Sequence, residues 1–188
     1  LIIHFFIMES YIAILRGINV SGQKKIKMED LRQLLAGLNF HNIRTYIQSG
    51  NVIFEHEKSD PLELAKQIEH KIFDKYGFEV PVIVKTATEL EHILHNNPFL
   101  KGRKEDESRL HVTFLAEEPG QELLNKIKGT DYKPDEFIIS DQAIYLFCPN
   151  GYGRTKLTNN FFENKLQVTA TTRNWKTVNK LVGIASTK

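Results

Sequence analysis

The chain has 188 residues, of which 41% are hydrophobic and 26% charged, with a formal net charge of +2. That composition excludes a disordered segment, and it excludes a polyelectrolyte whose overall field demands nucleic acid or an anionic membrane. Cys148 is the single cysteine, which rules out an intrachain disulfide and fits a reducing, cytoplasmic compartment.

Residues 1–7 are apolar but too short to span a bilayer. They lack the basic start and small-residue cleavage site of a signal peptide. Met8 is the expected start, and residues 1–7 are read as foreign to the natural chain. Tyr11 to Arg16 reads as a short apolar strand. Lys27 to Leu38 places Met28, Leu31, Leu34, Leu35 and Leu38 at helical spacing. Asn42 to Gln48 and Asn51 to His56 read as a hairpin. Asp60-Pro61 is an N-cap followed by proline at the first helical position, and the helix runs to Tyr76, where Gly77 ends it. Glu79 to Lys85 reads as a strand and Ala87 to Asn96 as a helix.

The same order then recurs. Arg109 to Leu115 alternates, with Leu110, Val112 and Phe114 on one face. A helix is expected over Gly120 to Lys128, and a second hairpin over Glu136 to Ser140 and Ala143 to Cys148. Thr155 to Leu166 reads as a helix, Gln167 to Thr171 as a strand, and Asn174 to Ala185 as a final helix. Each half is β-α-β-β-α-β plus a helix, the ferredoxin-like order. The expectation is an α+β protein of two ferredoxin-like halves, residues 8–97 and 109–186, joined by the polar stretch 98–108. Identity between the halves is negligible, so this internal repeat rests on element order. A single continuous sheet, or another α+β sandwich, is the rival architecture.

Several separated segments resemble one family. They are Leu15-Arg16-Gly17-Ile18-Asn19-Val20, then Met28-x-x-Leu31-Arg32, then Thr45 to Phe54, then Thr172-Arg173-Asn174-Trp175-x-Thr177-Val178-x-x-Leu181. Together they are similar to the domain of unknown function 1697, over Met8 to about Ser186. Ser21 departs from the pattern, which usually has glycine there. The resemblance implies a bacterial-type α+β protein with two similar halves, and it implies no reaction.

Paired across a two-residue Ser49-Gly50 loop, the first hairpin sets Gln48 against Asn51, Ile47 against Val52, and Arg44 against Glu55. Ile43, Thr45, Ile47, Val52 and Phe54 would then face helices, while Arg44, Tyr46, Gln48, Asn51, Ile53 and Glu55 would form an open face. In the ferredoxin-like topology the loop after the first strand meets this turn at one end of the sheet. Arg16, Gly17, Asn19, Gln48, Ser49, Gly50 and Asn51 converge there. Two readings stand side by side: a ligand site, or side chains that hold the connection.

A second cluster lies in the other half. The loops Gly151 to Lys156 and Thr171 to Trp175 each open a predicted helix, so Gly153, Arg154, Lys156, Arg173 and Asn174 would surround two helix N-termini, which attract anions. Thr155 and Thr172 would be ordinary caps. Trp175 is expected in the core, with Arg173 and Asn174 exposed. Residues 151–188 carry Arg154, Lys156, Lys165, Arg173, Lys176, Lys180 and Lys188 against Glu163 alone. A solvated basic face and an anionic partner both account for that bias.

His92 and His95 share a helix face without a third ligand at a telling spacing, so no metal is assigned. No cofactor, catalytic residue or oligomeric state follows from the residues. The leading expectation is a small phosphate-bearing or other anionic ligand. The alternatives are a single-stranded nucleic-acid module, suggested by Tyr152 and Trp175 within the basic segment, and a phosphoryl-transfer or hydrolase enzyme using the same loops. No membrane partner is expected.

Overall fold

The computed structural model describes residues 7–140 and 143–187. In chain order the first elements are β1 (Met8–Leu15), α1 (Met28–Ala36), β2 (His41–Tyr46), β3 (Asn51–Glu57), α2 (Pro61–Tyr76), β4 (Val82–Thr86) and α3 (Ala87–His95). They are followed by β5 (Leu110–Leu115), α4 (Gln121–Ile127), β6 (Glu136–Ser140), β7 (Ala143–Phe147), α5 (Asn159–Leu166), β8 (Ala170–Asn174) and α6 (Trp175–Ala185). The chain divides into two compact units. The first runs to Leu90 and takes in the residues from Leu181 on; the second is Glu91–Lys180.

Each unit carries a four-stranded antiparallel sheet, ordered β2-β3-β1-β4 in the first and β6-β7-β5-β8 in the second. With β-α-β-β-α-β connections, this is a mixed α+β fold of two ferredoxin-like halves. Among the described residues no helix is long and apolar enough to cross a membrane.

In the first unit α2 is fixed at both ends. Asp60 Oδ1 accepts the Leu62 N–H at 3.0 Å, Pro61 opens the first turn, and Gly77 closes the helix at φ +74° with its N–H on Phe73 O. The helix buries Leu64, Ala65, Ile68 and Ile72 against Tyr11, Ala13 and Leu15 of β1, Val52 and Phe54 of β3, and Leu31 and Leu35 of α1. The Phe40 and Phe54 rings stack at 4.1 Å. In the second unit Leu115, Ile144, Leu146 and Ala170 pack with Leu124, Phe162 and Leu166. All six residues of β5 are buried. Its Thr113 is satisfied: the Thr113 hydroxyl meets that of Thr172 in β8 at 2.7 Å, and Thr172 donates onward to Asn159 Oδ1 at 2.6 Å. A buried polar group costs free energy unless it is so paired.

The first hairpin differs from its sequence reading. Tyr46 pairs with Asn51, Thr45 with Val52 and Arg44 with Ile53, with a bulge between His41 and Arg44. The turn is therefore the four residues Ile47–Gly50, not Ser49-Gly50 alone. Ile47 sits at φ +52° and is exposed rather than packed on helices, while Ile53 and Asn51, expected on an open face, are buried. Arg44 does not pair with Glu55. It donates to Ile184 O at 2.8 Å, and Glu55 accepts from Asn42.

Two boundaries in the second unit also move. Helix α5 starts at Asn159, capped by Thr158, whose hydroxyl accepts the Phe161 N–H; Thr155 follows a single 3-10 turn, Tyr152–Arg154. Strand β8 extends through Asn174, so Thr172 and Arg173 belong to the sheet and Thr172 caps nothing. β-branched Thr171 and Thr172 favour the strand, which sets them opposite Phe114 and Thr113 of β5.

Candidate functional site

The sheet topology brings the first set of residues to one end of the first unit. The Leu15 N–H donates to Gly50 O at 2.8 Å, which sets Arg16 beside the turn before Asn51. Asn19, at φ +55°, is the pivot. Its Oδ1 accepts the Ile26 N–H at 2.9 Å, and its Nδ2 donates to Ile26 O at 2.9 Å and to Gln48 O at 2.8 Å. Between these anchors Val20–Gln23 form a tight turn, with Ser21 at φ +51°, Gly22 at φ +76° and the Gln23 N–H on Val20 O. Two successive positive φ values are those of the hairpin turn that normally recruits glycine or asparagine. Asn51 is fully buried, and its Nδ2 donates to Tyr46 O at 3.0 Å and Ser49 Oγ at 3.2 Å.

Asn19 and Asn51 thus spend their amides on backbone and turn. Gln48 keeps its side chain exposed and shares a cavity of about 350 Å³ with Lys25, Lys27, Asp30 and Asn19. Gly50 has a separate reason: at φ +84° a Cβ would lie 2.7 Å from Ile18 Cδ1. Gly17, at φ +73°, faces open space.

The second set divides. Gly151, at φ +88°, turns the chain into Tyr152–Arg154. Thr155 then donates to Asp135 Oδ2 at 2.7 Å and accepts the Leu157 N–H at 3.0 Å. That hydroxyl ties the loop to the turn before β6. A cavity of about 430 Å³ opens between them, walled by the cations Lys133, Arg154 and Lys156, the carboxylates Asp131 and Asp135, and Asn150. Lys133 Nζ lies 3.3 Å from Asp131, so those two charges offset each other. The Lys133 backbone N–H, more than its ammonium, holds the Asp131 carboxyl below its usual range. Arg154 and Lys156 are exposed and form no ion pair among the described residues. A neighbouring cavity of about 610 Å³ shares Asp131, Tyr132, Lys133 and Asp135.

Arg173 and Asn174 do not line this cavity. Arg173 lies in β8 opposite Val112 and is half-buried, not exposed; burial lowers its guanidinium pKa to about 10. Asn174 is exposed and its Oδ1 accepts the Thr177 N–H at 2.8 Å, capping α6. Trp175 is buried, as the sequence predicts. Gly153 is exposed with open space around its Cβ position. Lys133, Asp135 and Asn150 were not found by sequence reasoning. The signal was the turn Asp131-Tyr132-Lys133-Pro134-Asp135, whose proline and two aspartates announce a loop without announcing its neighbour.

Cys148 and His111 are withdrawn from solvent. Burial pushes the Cys148 thiol up to about 11, the opposite of an activated nucleophile. His111 is buried against the Tyr152 ring, at a centroid distance of 5.0 Å, and burial lowers its pKa. Among the described residues no group of three or more His, Cys, Asp or Glu side chains is placed to hold a metal ion.

Comparison with known proteins agrees with this architecture. The conserved bacterial protein SP0830 from Streptococcus pneumoniae, a solved structure, is similar at 25% identity with a TM-score of 0.76, over 96% of this chain and 100% of that one. No curated protein matches the chain. The family described as protein of unknown function (DUF1697) matches residues 8–145, and the chain belongs to it.

Proposed function

We propose that this protein binds a small phosphate-bearing or other anionic ligand in the cavity between the turn before β6 and the loop after β7. One observation carries the reading: Arg154 and Lys156 wall a cavity of about 430 Å³, and among the described residues no carboxylate is paired to either. A guanidinium offers a planar fork of donors that matches phosphate oxygens, and an ammonium beside it adds a point charge. Glycine and the 3-10 turn hold these cations on a loop tied down by Thr155, so little backbone entropy is lost when a ligand binds. The cluster around Asn19 and Asn51 reads as the device that holds the first loop, with Lys25, Lys27 and Gln48 as its solvent-facing remainder.

Isothermal titration with inorganic phosphate, pyrophosphate and a sugar phosphate at low salt tests the proposal. Binding that weakens by about tenfold or more in Arg154→Ala and in Lys156→Ala, at unchanged melting temperature, supports it; tenfold is the scale of one charge-assisted hydrogen bond. No binding at millimolar concentration, or binding indifferent to both substitutions, refutes it. A single-stranded oligonucleotide titrated in parallel separates the nucleic-acid reading, whose affinity would fall steeply with salt.

A further inference from the structure

The charges left over in this cavity are not all positive. Lys133 and Asp131 offset each other at 3.3 Å. Arg154, Lys156 and the Asp135 carboxylate remain. Asp135 Oδ2 accepts the Thr155 hydroxyl at 2.7 Å, while Oδ1 accepts no hydrogen bond from any described residue. Thr155 lies between Arg154 and Lys156 in the chain, so its bond to Asp135 ties the carboxylate to the loop that carries both cations, and all three line one cavity. None of the three forms an ion pair with another. The cavity therefore presents two cations and an anion within one small volume, none of them ion-paired among the described residues.

A simple anion uses only half of this surface, and it leaves Asp135 as a like charge facing it. The ligand complementary to the whole surface is negative at one end and positive at the other. We infer that the cavity binds a phosphate monoester that carries a protonated amine, with the phosphate on Arg154 and Lys156 and the ammonium on Asp135 Oδ1. The inference rests on the anion-binding reading above and narrows it to a zwitterionic class. Electrostatic complementarity supplies the discrimination: the amine gains a charge-assisted hydrogen bond, and a ligand without it leaves Asp135 uncompensated. Asn150 offers a neutral amide on the same wall for the remainder of the ligand.

The test compares O-phosphoethanolamine with ethyl phosphate, and glucosamine 6-phosphate with its N-acetylated counterpart, by titration calorimetry at neutral pH. The wild-type protein should prefer each free amine by about tenfold, the scale of one charge-assisted hydrogen bond. In Asp135→Asn the preference should fall below about twofold, with ethyl phosphate bound as well or better, because a repelling charge is gone. The asparagine oxygen still accepts the Thr155 hydroxyl, and the melting temperature checks that the loop is kept. Equal binding of amine and non-amine partners by the wild type overturns the inference and leaves the anion site standing. A preference that survives in Asp135→Asn overturns the assignment to Asp135. Failure of all four probes to bind overturns the anion site itself. If the variant does not fold, the wild-type comparison alone decides.

Discussion

A Cβ on Gly50 would stand 2.7 Å from Cδ1 of Ile18 and 2.8 Å from Cβ of Leu15. The β1–β3 register and the loop after β1 therefore meet at a backbone with no room for a side chain. Gly50→Ala should cost roughly 3 kcal/mol or more, combining overpacking of a closed core with the left-handed backbone at φ +84°. Gly17→Ala meets only the backbone penalty, about 1 kcal/mol, since no atom lies within 4 Å. Gly153→Ala should stay within about 0.5 kcal/mol, having neither constraint. Urea unfolding of the three variants checks the ranking. Equal costs for Gly50 and Gly17 would show that the close approach to Ile18 does not exist.

The amides at this end are expected to separate by role. Asn51→Ala strands Tyr46 O in the turn, and Asn19→Ala strands the N–H and C=O of Ile26 together with Gln48 O. Each should cost roughly 1–3 kcal/mol, the usual penalty for an unsatisfied buried polar group. Gln48→Ala removes an exposed side chain and should change stability by less than about 0.5 kcal/mol. A destabilised Gln48→Ala beside a neutral Asn51→Ala would reverse the assignment.

Trp175 opens α6 with its side chain buried at 3% exposure. Trp175→Ala should cost about 3–5 kcal/mol through lost burial and the cavity left behind. A variant of wild-type stability that loses ligand binding would place the ring in a site instead. The intermediate variant Trp175→Phe should recover most of the loss.

Element order, caps and core were legible because they follow from local rules. Asp60-Pro61 and Gly77 bound α2 from sequence alone, and the alternation in β5 marks a strand. The hairpin register was not legible, because it depends on a left-handed Ile47, a conformation that a β-branched residue rarely adopts. That strain is offset elsewhere: Asn51 closes the turn from inside, and Leu15 fixes Gly50. The start of α5 was misplaced for a related reason. Thr155 and Thr158 both have cap chemistry, and Thr155 instead reaches Asp135, twenty positions earlier in the chain. The pairing of that loop with the turn before β6 is a tertiary fact with no local signature. Hence Arg154 and Lys156 were found as cations, but Lys133, Asp135 and Asn150 were missed as their neighbours.

Lys85 is the charge that local patterning hid most completely. It follows Val82-Ile83-Val84 in β4, pairs with Ile12 in the sheet, and is 1% exposed. Burial lowers its pKa to about 8, with Glu89 partly opposing the shift. The unfolded chain holds the ordinary lysine value near 10.5. Below pH 8 both states are protonated, and the folded state bears the net penalty of a buried ammonium that Glu89 only partly offsets. Between pH 8 and about 10.5 the unfolded state binds more protons than the folded one, so the contribution of Lys85 to stability rises with pH. A shift of this size corresponds to roughly 3 kcal/mol. Lys85→Met should therefore be more stable than wild type at pH 7, and the difference should shrink as pH rises toward 10. Tyr11 and Tyr76, whose pKa values burial raises, act with the opposite sign near pH 10, but they are common to both proteins and cancel in the difference. Chemical denaturation of the pair at pH 7, 8.5 and 10 measures it. A pH-independent difference would mean that the Lys85 ammonium is as well solvated, or as well paired, in the folded protein as in water.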